Sequence, residues 1–188
     1  MKILVVGKGG REQALVRALS ESGSKPEIFC FPGSEAIFEL AKPVDADGLH
    51  SLVEWMKGNG IDLCVAGEES YLVKDEGLAN LCELAGIPCW GPPKEAAQLE
   101  ASKEFAKVFM QRHGIPTGGA TGTETLEEAR AAIAGVYPTV LKFDGLAAGK
   151  GVAVCADEAS AEEFLHEVCT ERRFGAGRVL VEECLVGP

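Results

Sequence analysis

The feature that most limits how this chain can fold is the pace at which short apolar runs alternate with helix-period segments through its first half. Ile3 to Val6 is a brief β-branched run ended by Gly7, and Arg11 to Leu19 then places Ala14, Leu15, Ala18 and Leu19 on one helical face. Ile28 to Phe31 predicts a second strand, stopped by Pro32-Gly33. Leu49 to Met56 predicts a helix, Asp62 to Ala66 a strand, Leu72 to Leu84 a helix, and Ile87 to Trp90 a strand closed by Gly91-Pro92-Pro93. Strands and helices in this rhythm make βαβ units with right-handed crossovers. The expected fold class is therefore α/β, with a doubly wound parallel-sheet domain over roughly residues 1 to 95.

The rhythm then changes. Lys94 to Leu99 and Ser102 to Arg112 read as a helical pair, with Ser102 as a cap for the second, and Gly114 and Pro116 end it. Thr117 to Thr123, rich in Gly and Thr, reads as a hinge. A helix (Leu126 to Ile133), strands (Thr139 to Phe143 and Val152 to Cys155), a helix (Ala161 to Cys169) and a strand (Arg178 to Glu182) follow. That is a small α+β unit rather than a continuation of the first sheet.

Charge excludes some partners. Eighteen basic residues stand against 29 acidic ones, a net charge of −11, so nucleic acid and anionic lipid surfaces would repel the chain. An anionic small molecule must then be held by local features. The seven cysteines, Cys30, Cys64, Cys82, Cys89, Cys155, Cys169 and Cys184, include no C-x-x-C pair and mostly sit in apolar runs. They read as reduced, buried thiols, with neither a disulfide framework nor a zinc site expected. The opening apolar run is too short for a signal peptide, and no stretch is long enough to span a membrane, so a cytoplasmic protein is expected.

Two loops carry candidate chemistry. Gly7-Lys8-Gly9-Gly10-Arg11-Glu12 joins the first strand to the first helix, where glycines let a backbone approach an anion and free N–H groups point at it. The dinucleotide fingerprint wants a third glycine where Glu12 stands, and Phe29-Cys30-Phe31 offers no acidic residue for a ribose, which disfavours NAD. The plain alternative is a tight turn with no ligand. Asp144-Gly145-Leu146-Ala147-Ala148-Gly149-Lys150-Gly151 follows the strand containing Lys142. It is not a Walker A loop, because one residue is missing and Gly151 replaces the magnesium-binding hydroxyl. Three glycines and a lysine suit a lid over polyphosphate, and a plain hairpin connection is the weaker reading. Lys142 interrupts an apolar strand, so it either meets an anion or points to solvent. Glu182-Glu183-Cys184-Leu185 could read adenine and a ribose hydroxyl, or could simply end a solvated strand. Lys103 would ordinarily be a helix-surface lysine, and His50, His113 and His166 are scattered without partners.

Taken together, the segments resemble the phosphoribosylamine–glycine ligase (glycinamide ribonucleotide synthetase) family of the ATP-grasp superfamily. ILVVGKGGREQAL is similar to that family's opening GGGGREHAL, GIPCWGPPKEAAQLEASKEFAKVFMQRHGIPT to the stretch leading into its ATP-grasp domain, and VLKFDGLAAGKGVAV to its VVKADGLAAGKGVVV. The resemblance implies a Rossmann-like, pre-ATP-grasp N domain over residues 1–100, the start of the ATP-grasp core and a hinge over 101–122, and a truncated lid subdomain over 123–188. It implies that ATP phosphorylates the glycine carboxylate and that the amine of 5-phosphoribosylamine attacks the acyl phosphate. Glycinamide ribonucleotide, ADP and phosphate would result, a step of purine biosynthesis.

Carried over residue by residue, Gly9, Gly10 and Arg11 would hold the sugar phosphate. Lys103 and Lys142 would contact ATP phosphates or the adenine edge. Asp144, Gly145, Gly149, Lys150 and Gly151 would close over the triphosphate, and Glu182, Glu183 and Leu185 would line the adenine pocket. Magnesium ligands and the glycine pocket are expected beyond residue 188, so an inactive fragment acting as a monomer is expected, with no catalytic residue of its own. Departures gather on the amine side: Lys8 for a glycine, Gln13 for His, Ser34 for Asn, and Gly67-Glu68-Glu69 for Gly-Pro-Glu, with a two-residue insertion before Gly77. They leave open another ATP-grasp carboxylate–amine ligase, or a non-catalytic phosphate- or nucleotide-binding module.

Overall fold

The apolar run that opens the chain becomes the centre of a parallel sheet. The computed structural model describes residues 1–147 and 149–187; Ala148 of the glycine-rich loop and Pro188 lie outside the described residues. The chain divides into two units, Met1–Ala97 and Gln98–Pro188.

In the first unit, β1 (Lys2–Gly7), β2 (Glu27–Pro32), β3 (Lys42–Pro43), β4 (Leu63–Ala66) and β5 (Cys89–Trp90) form a five-stranded parallel sheet in the order β3-β2-β1-β4-β5. The order reverses at β1, the arrangement expected of a doubly wound sheet. Both faces of β1 are covered, as parallel sheets require. Leu4 and Val6 pack with α3 (Leu49–Asn59) and α5 (Leu78–Leu84) through Leu52, Met56, Leu78 and Cys82. Ile3 and Val5 pack with α1 (Gly10–Glu21) and α2 (Glu35–Phe38) through Val16 and Ile37.

One expected helix is broken. Leu72 to Leu84 is not continuous: α4 (Ser70–Val73) stops, and α5 restarts at Leu78. Asp75 and Gly77 both take positive φ, +51° and +87°, which interrupts the helical hydrogen-bond ladder. A Cβ on Gly77 would lie 2.7 Å from the Leu72 carbonyl oxygen, so glycine is required at that turn. Here α6 (Lys94–Ala101) packs Ala97 against Leu72 and Ala79.

In the second unit, α7 (Lys103–Arg112) precedes a four-stranded antiparallel sheet. Its strands are β6 (Ala120–Thr123), β7 (Thr139–Asp144), β8 (Val152–Cys155) and β9 (Arg178–Glu183), in the order β6-β9-β7-β8. The Gly/Thr stretch read as a hinge is therefore corrected in part, because Ala120–Thr123 is an edge strand whose backbone pairs with β9. On one sheet face, Leu141, Phe143, Val179 and Val181 bury against α8 (Leu126–Ile133) and α9 (Glu158–Leu165). The last helix starts earlier than its apolar pattern suggested. Asp157 caps it by accepting the Ser160 N–H at 2.9 Å, and a π-helical turn, His166–Thr170, closes it. No described helix is long and apolar enough to cross a membrane.

Candidate functional site

In the first unit, the carboxyl ends of β1 and β4 meet where strand order reverses, the place where open α/β sheets form a crevice. The turn after β1 carries Gly9 and leads into Gly10 and Arg11 at the start of α1, and the loop after β4 carries Gly67, Glu68 and Glu69. Glu12, the residue that breaks the dinucleotide fingerprint, turns inward and is only 3% exposed. Its carboxylate accepts the Gly9 N–H at 2.8 Å, and the Arg11 Nε donates to it at 3.1 Å. Arg11 Nη2 reaches across to Glu69 at 2.5 Å. That guanidinium holds the Glu69 carboxyl below its usual range. The glycine loop thus presents a clamped arginine: the Gly9 N–H is already engaged, and Arg11 is exposed but flanked by two carboxylates.

In the second unit, alternation along β7 and β9 turns Lys142, Asp144, Leu180 and Glu182 to the sheet face opposite the α8–α9 core. Lys142 meets an anion from its own chain, for its ammonium is paired with Glu182. Lys107, one turn along α7 from Lys103, pairs with the other oxygen of the same carboxylate. Lys107 also donates to the Thr117 hydroxyl at 2.7 Å and the Gly118 carbonyl at 2.9 Å. Burial alone would raise the Glu182 pKa, but the two ammoniums outweigh it and hold the carboxyl below the usual carboxylate range. Two cations against one anion leave this half-buried cluster one net positive charge, on a chain whose total is −11. Such a spot attracts anions that the rest of the surface repels.

Asp144, expected to face a triphosphate, is engaged elsewhere. Its carboxylate accepts the Lys103 N–H at 2.5 Å, the Glu104 N–H at 3.2 Å and the Ser102 hydroxyl at 3.0 Å, satisfying the open amides at the start of α7. Ser102 also caps that helix directly, accepting the Phe105 N–H at 3.0 Å. Lys103 lays its ammonium on the Gly145 carbonyl at 2.8 Å. Replacing Asp144 with alanine is expected to cost ~1–2 kcal/mol, and asparagine should recover part of that loss. Urea denaturation followed by circular dichroism checks both.

The glycine-rich segment connects the antiparallel strands β7 and β8, so by topology it is a wide hairpin loop. Phe143 N–H bonds the Gly151 carbonyl at 2.8 Å, and Gly151 is buried at its foot while Gly149 and Lys150 stand exposed. A Cβ on Gly151 would lie 2.7 Å from that of Ala147, so the loop base admits no side chain there. At the end of β9, Glu183 accepts the Gly119 N–H at 3.2 Å, and Leu185 is exposed.

Sequence reasoning passed over two residues of these clusters. Lys107 could have been found from its i, i+4 spacing to Lys103, which puts both ammoniums on one helical face. Glu12 signalled only what the loop cannot bind. The histidines are peripheral: His50 and His166 lie 3.7 Å and 3.5 Å from Glu76 and Glu171 on the surface, and His113 packs at a tilt against Phe109 with centroids 4.4 Å apart.

Comparison with known proteins follows the same division. The family model described as phosphoribosylglycinamide synthetase, N domain, matches residues 1–100, and that described as phosphoribosylglycinamide synthetase, ATP-grasp (A) domain, matches residues 101–188. A phosphoribosylamine–glycine ligase of Allochromatium vinosum is 44% identical over 195 residues, covering 100% of this chain and 45% of its own length. The trifunctional purine biosynthetic protein adenosine-3 of Drosophila melanogaster is 42% identical over 197 residues, with 99% of this chain and 14% of that protein covered. Among solved structures, the phosphoribosylamine–glycine ligase of Thermotoga maritima aligns with a TM-score of 0.75 at 30% identity, covering 100% of this chain and 45% of that one. An ADP complex of N5-carboxyaminoimidazole ribonucleotide synthetase reaches a TM-score of 0.76 at 19% identity, over 98% of this chain and 47% of its own, a likeness of fold alone. The chain spans less than half the length of the curated phosphoribosylamine–glycine ligases it matches.

Proposed function

Because the chain belongs to the phosphoribosylglycinamide synthetase family, we propose that the protein it forms part of joins glycine to 5-phosphoribosylamine at the expense of ATP. ATP would convert the glycine carboxylate to an acyl phosphate, and the amine would displace phosphate to give glycinamide ribonucleotide. The observation that carries this reading is that the two family models meet end to end and together cover the chain.

Within it, residues 1–100 are proposed as the Rossmann-like N domain, 101–122 as the start of the ATP-grasp core and 123–188 as its lid. The first-unit crevice is proposed to take the sugar phosphate, with Gly10 and Arg11 as donors once Arg11 releases Glu69. ATP is proposed to lie on the polar face of the second-unit sheet. Its phosphates would compete with Glu182 for Lys142 and Lys107, freeing that carboxylate for a ribose hydroxyl. Gly149 and Lys150, exposed on the hairpin, are proposed to fold over the phosphate tail, and the exposed Leu185 to meet the base. Asp144 is proposed to act as a positioning residue that orients Lys103.

Magnesium does not fit the residues in hand. Among the described residues, the one convergence of three or more metal-capable groups is a set of cysteines, which are soft ligands unsuited to that hard cation. No step through magnesium is therefore assigned to this chain, and its ligands are proposed to lie in the part of the protein outside it.

The test is an assay of the full-length protein. ADP release that requires both glycine and phosphoribosylamine is the expected result. Release with another amine or acid but not with this pair would replace the substrate assignment, and no ATP turnover with any pair would leave a binding module.

A further inference from the structure

The first unit brings together three cysteines from two strands and a helix. Cys64 lies in β4, and β5 sets Cys89 directly beside it in register. Cys82 belongs to α5 and packs with Cys64 and Cys89 in the same apolar cluster. The three sulfur atoms all lie within 4.8 Å of one another. Cys64 and Cys82 are fully buried, whereas Cys89 is half-buried on the strand that forms the sheet edge.

The geometry points to a three-thiolate site for a soft d10 cation, of the class of Zn(II), Cd(II) or Cu(I), with Cys64, Cys82 and Cys89 as ligands. A metal–sulfur distance of about 2.3 Å places three ligand sulfurs roughly 4 Å apart, so the cluster needs only a small contraction to bind. Thiolate is the donor such ions prefer over oxygen. The three cysteines belong to the same apolar cluster as Leu78, Leu81 and Ile87. The edge position and partial exposure of Cys89 leave that ligand reachable from solvent.

Thiol ligands must lose their protons to bind a metal, so uptake releases protons and affinity rises with pH. All three thiols are free, with no disulfide among them.

The experiment uses the reduced 188-residue chain, titrated anaerobically with cadmium chloride while thiolate-to-metal charge-transfer absorption is followed. Saturation at one equivalent is expected. Cys89→Ser, at the half-buried edge and so compatible with folding, should lose the band and bind more weakly by more than the ~10–100-fold that loss of an outer-shell partner costs. Cys169→Ser, in the other unit, should bind as the parent does. No saturable band, a band that survives Cys89→Ser, or equal loss in Cys169→Ser would overturn the site. Formation of a Cys64–Cys82 disulfide in place of metal uptake under these conditions would do the same. The readout is metal uptake and not turnover, so its outcome is separate from that of the ligase assay.

Discussion

Glu182→Ala is expected to destabilise the second unit by ~3 kcal/mol, because it leaves two poorly solvated ammoniums facing each other without their shared carboxylate. The Lys107 and Lys142 side chains are 12% and 26% exposed, and that of Glu182 is 10% exposed. Glu182→Gln should lose nearly as much, since it keeps the shape and removes the charge. Hydrogen exchange of β7 and β9 amides reads the loss directly. Trp55 and Trp90 both lie in the first unit, so their fluorescence provides an internal comparison.

The same pair predicts a pH dependence of defined sign. The Glu182 carboxyl titrates lower in the folded chain than in the unfolded one. Its contribution is thus complete above the unfolded value of about 4.3 and disappears as pH falls through the lower folded value. Glu182→Ala should remove that part of the acid dependence. A variant whose acid unfolding curve in the second unit matches the parent's would contradict the placement of the carboxylate between the lysines.

The second large effect concerns Gly67→Ala. A Cβ there would lie 2.5 Å from Glu12 Cγ and 2.9 Å from the Val6 carbonyl oxygen. Neither neighbour moves freely, because Glu12 is held by the Gly9 N–H and Arg11, and Val6 is in the central strand. Overpacking of this kind costs ~1–3 kcal/mol, and contact with backbone puts this case at the upper end. Glu12→Ala alone should also destabilise, by emptying a buried space and leaving the Gly9 amide unpaired. Combined, the two changes should be less harmful than their sum, with a coupling of ~0.5–2 kcal/mol from the removed clash. Denaturant midpoints by tryptophan fluorescence check this, and strict additivity would contradict the packing described.

The alternation of strands and helices in the first unit was legible because both faces of its sheet are buried, and β-branched runs such as Ile3 to Val6 therefore carry the whole signal. The break at Asp75 to Gly77 was not, since the apolar spacing continues across it and only backbone conformation interrupts the helix. Ala120 to Thr123 looked like a hinge because a Gly/Thr edge strand owes its conformation to a partner more than fifty residues away in sequence. Lys142 could be placed on a strand but not on a face: alternation gives the period, and Glu182 on β9 decides which side is polar. The motif positions carried over from the family were readable as letters. Their present engagement was not, since Asp144 caps a helix and Arg11 is clamped by Glu12 and Glu69, contacts set by tertiary approach. The cysteines show the same limit, for no linear spacing rule finds three thiols contributed by two strands and a helix.

The strand order of the second unit has a consequence for how it is made. β9 emerges after β6, β7 and β8, yet it lies between β6 and β7 and supplies the hydrogen-bonding partner of both. While the ribosome is still short of Arg178, only the β7–β8 ribbon has a mate, and the nascent Ala120–Thr123 backbone has none. Assembly of this unit is thus a late, concerted event that waits on distant sequence, and such non-local closure is slow. The earlier unit depends on no such delayed insertion and can settle first as the polypeptide leaves the exit tunnel.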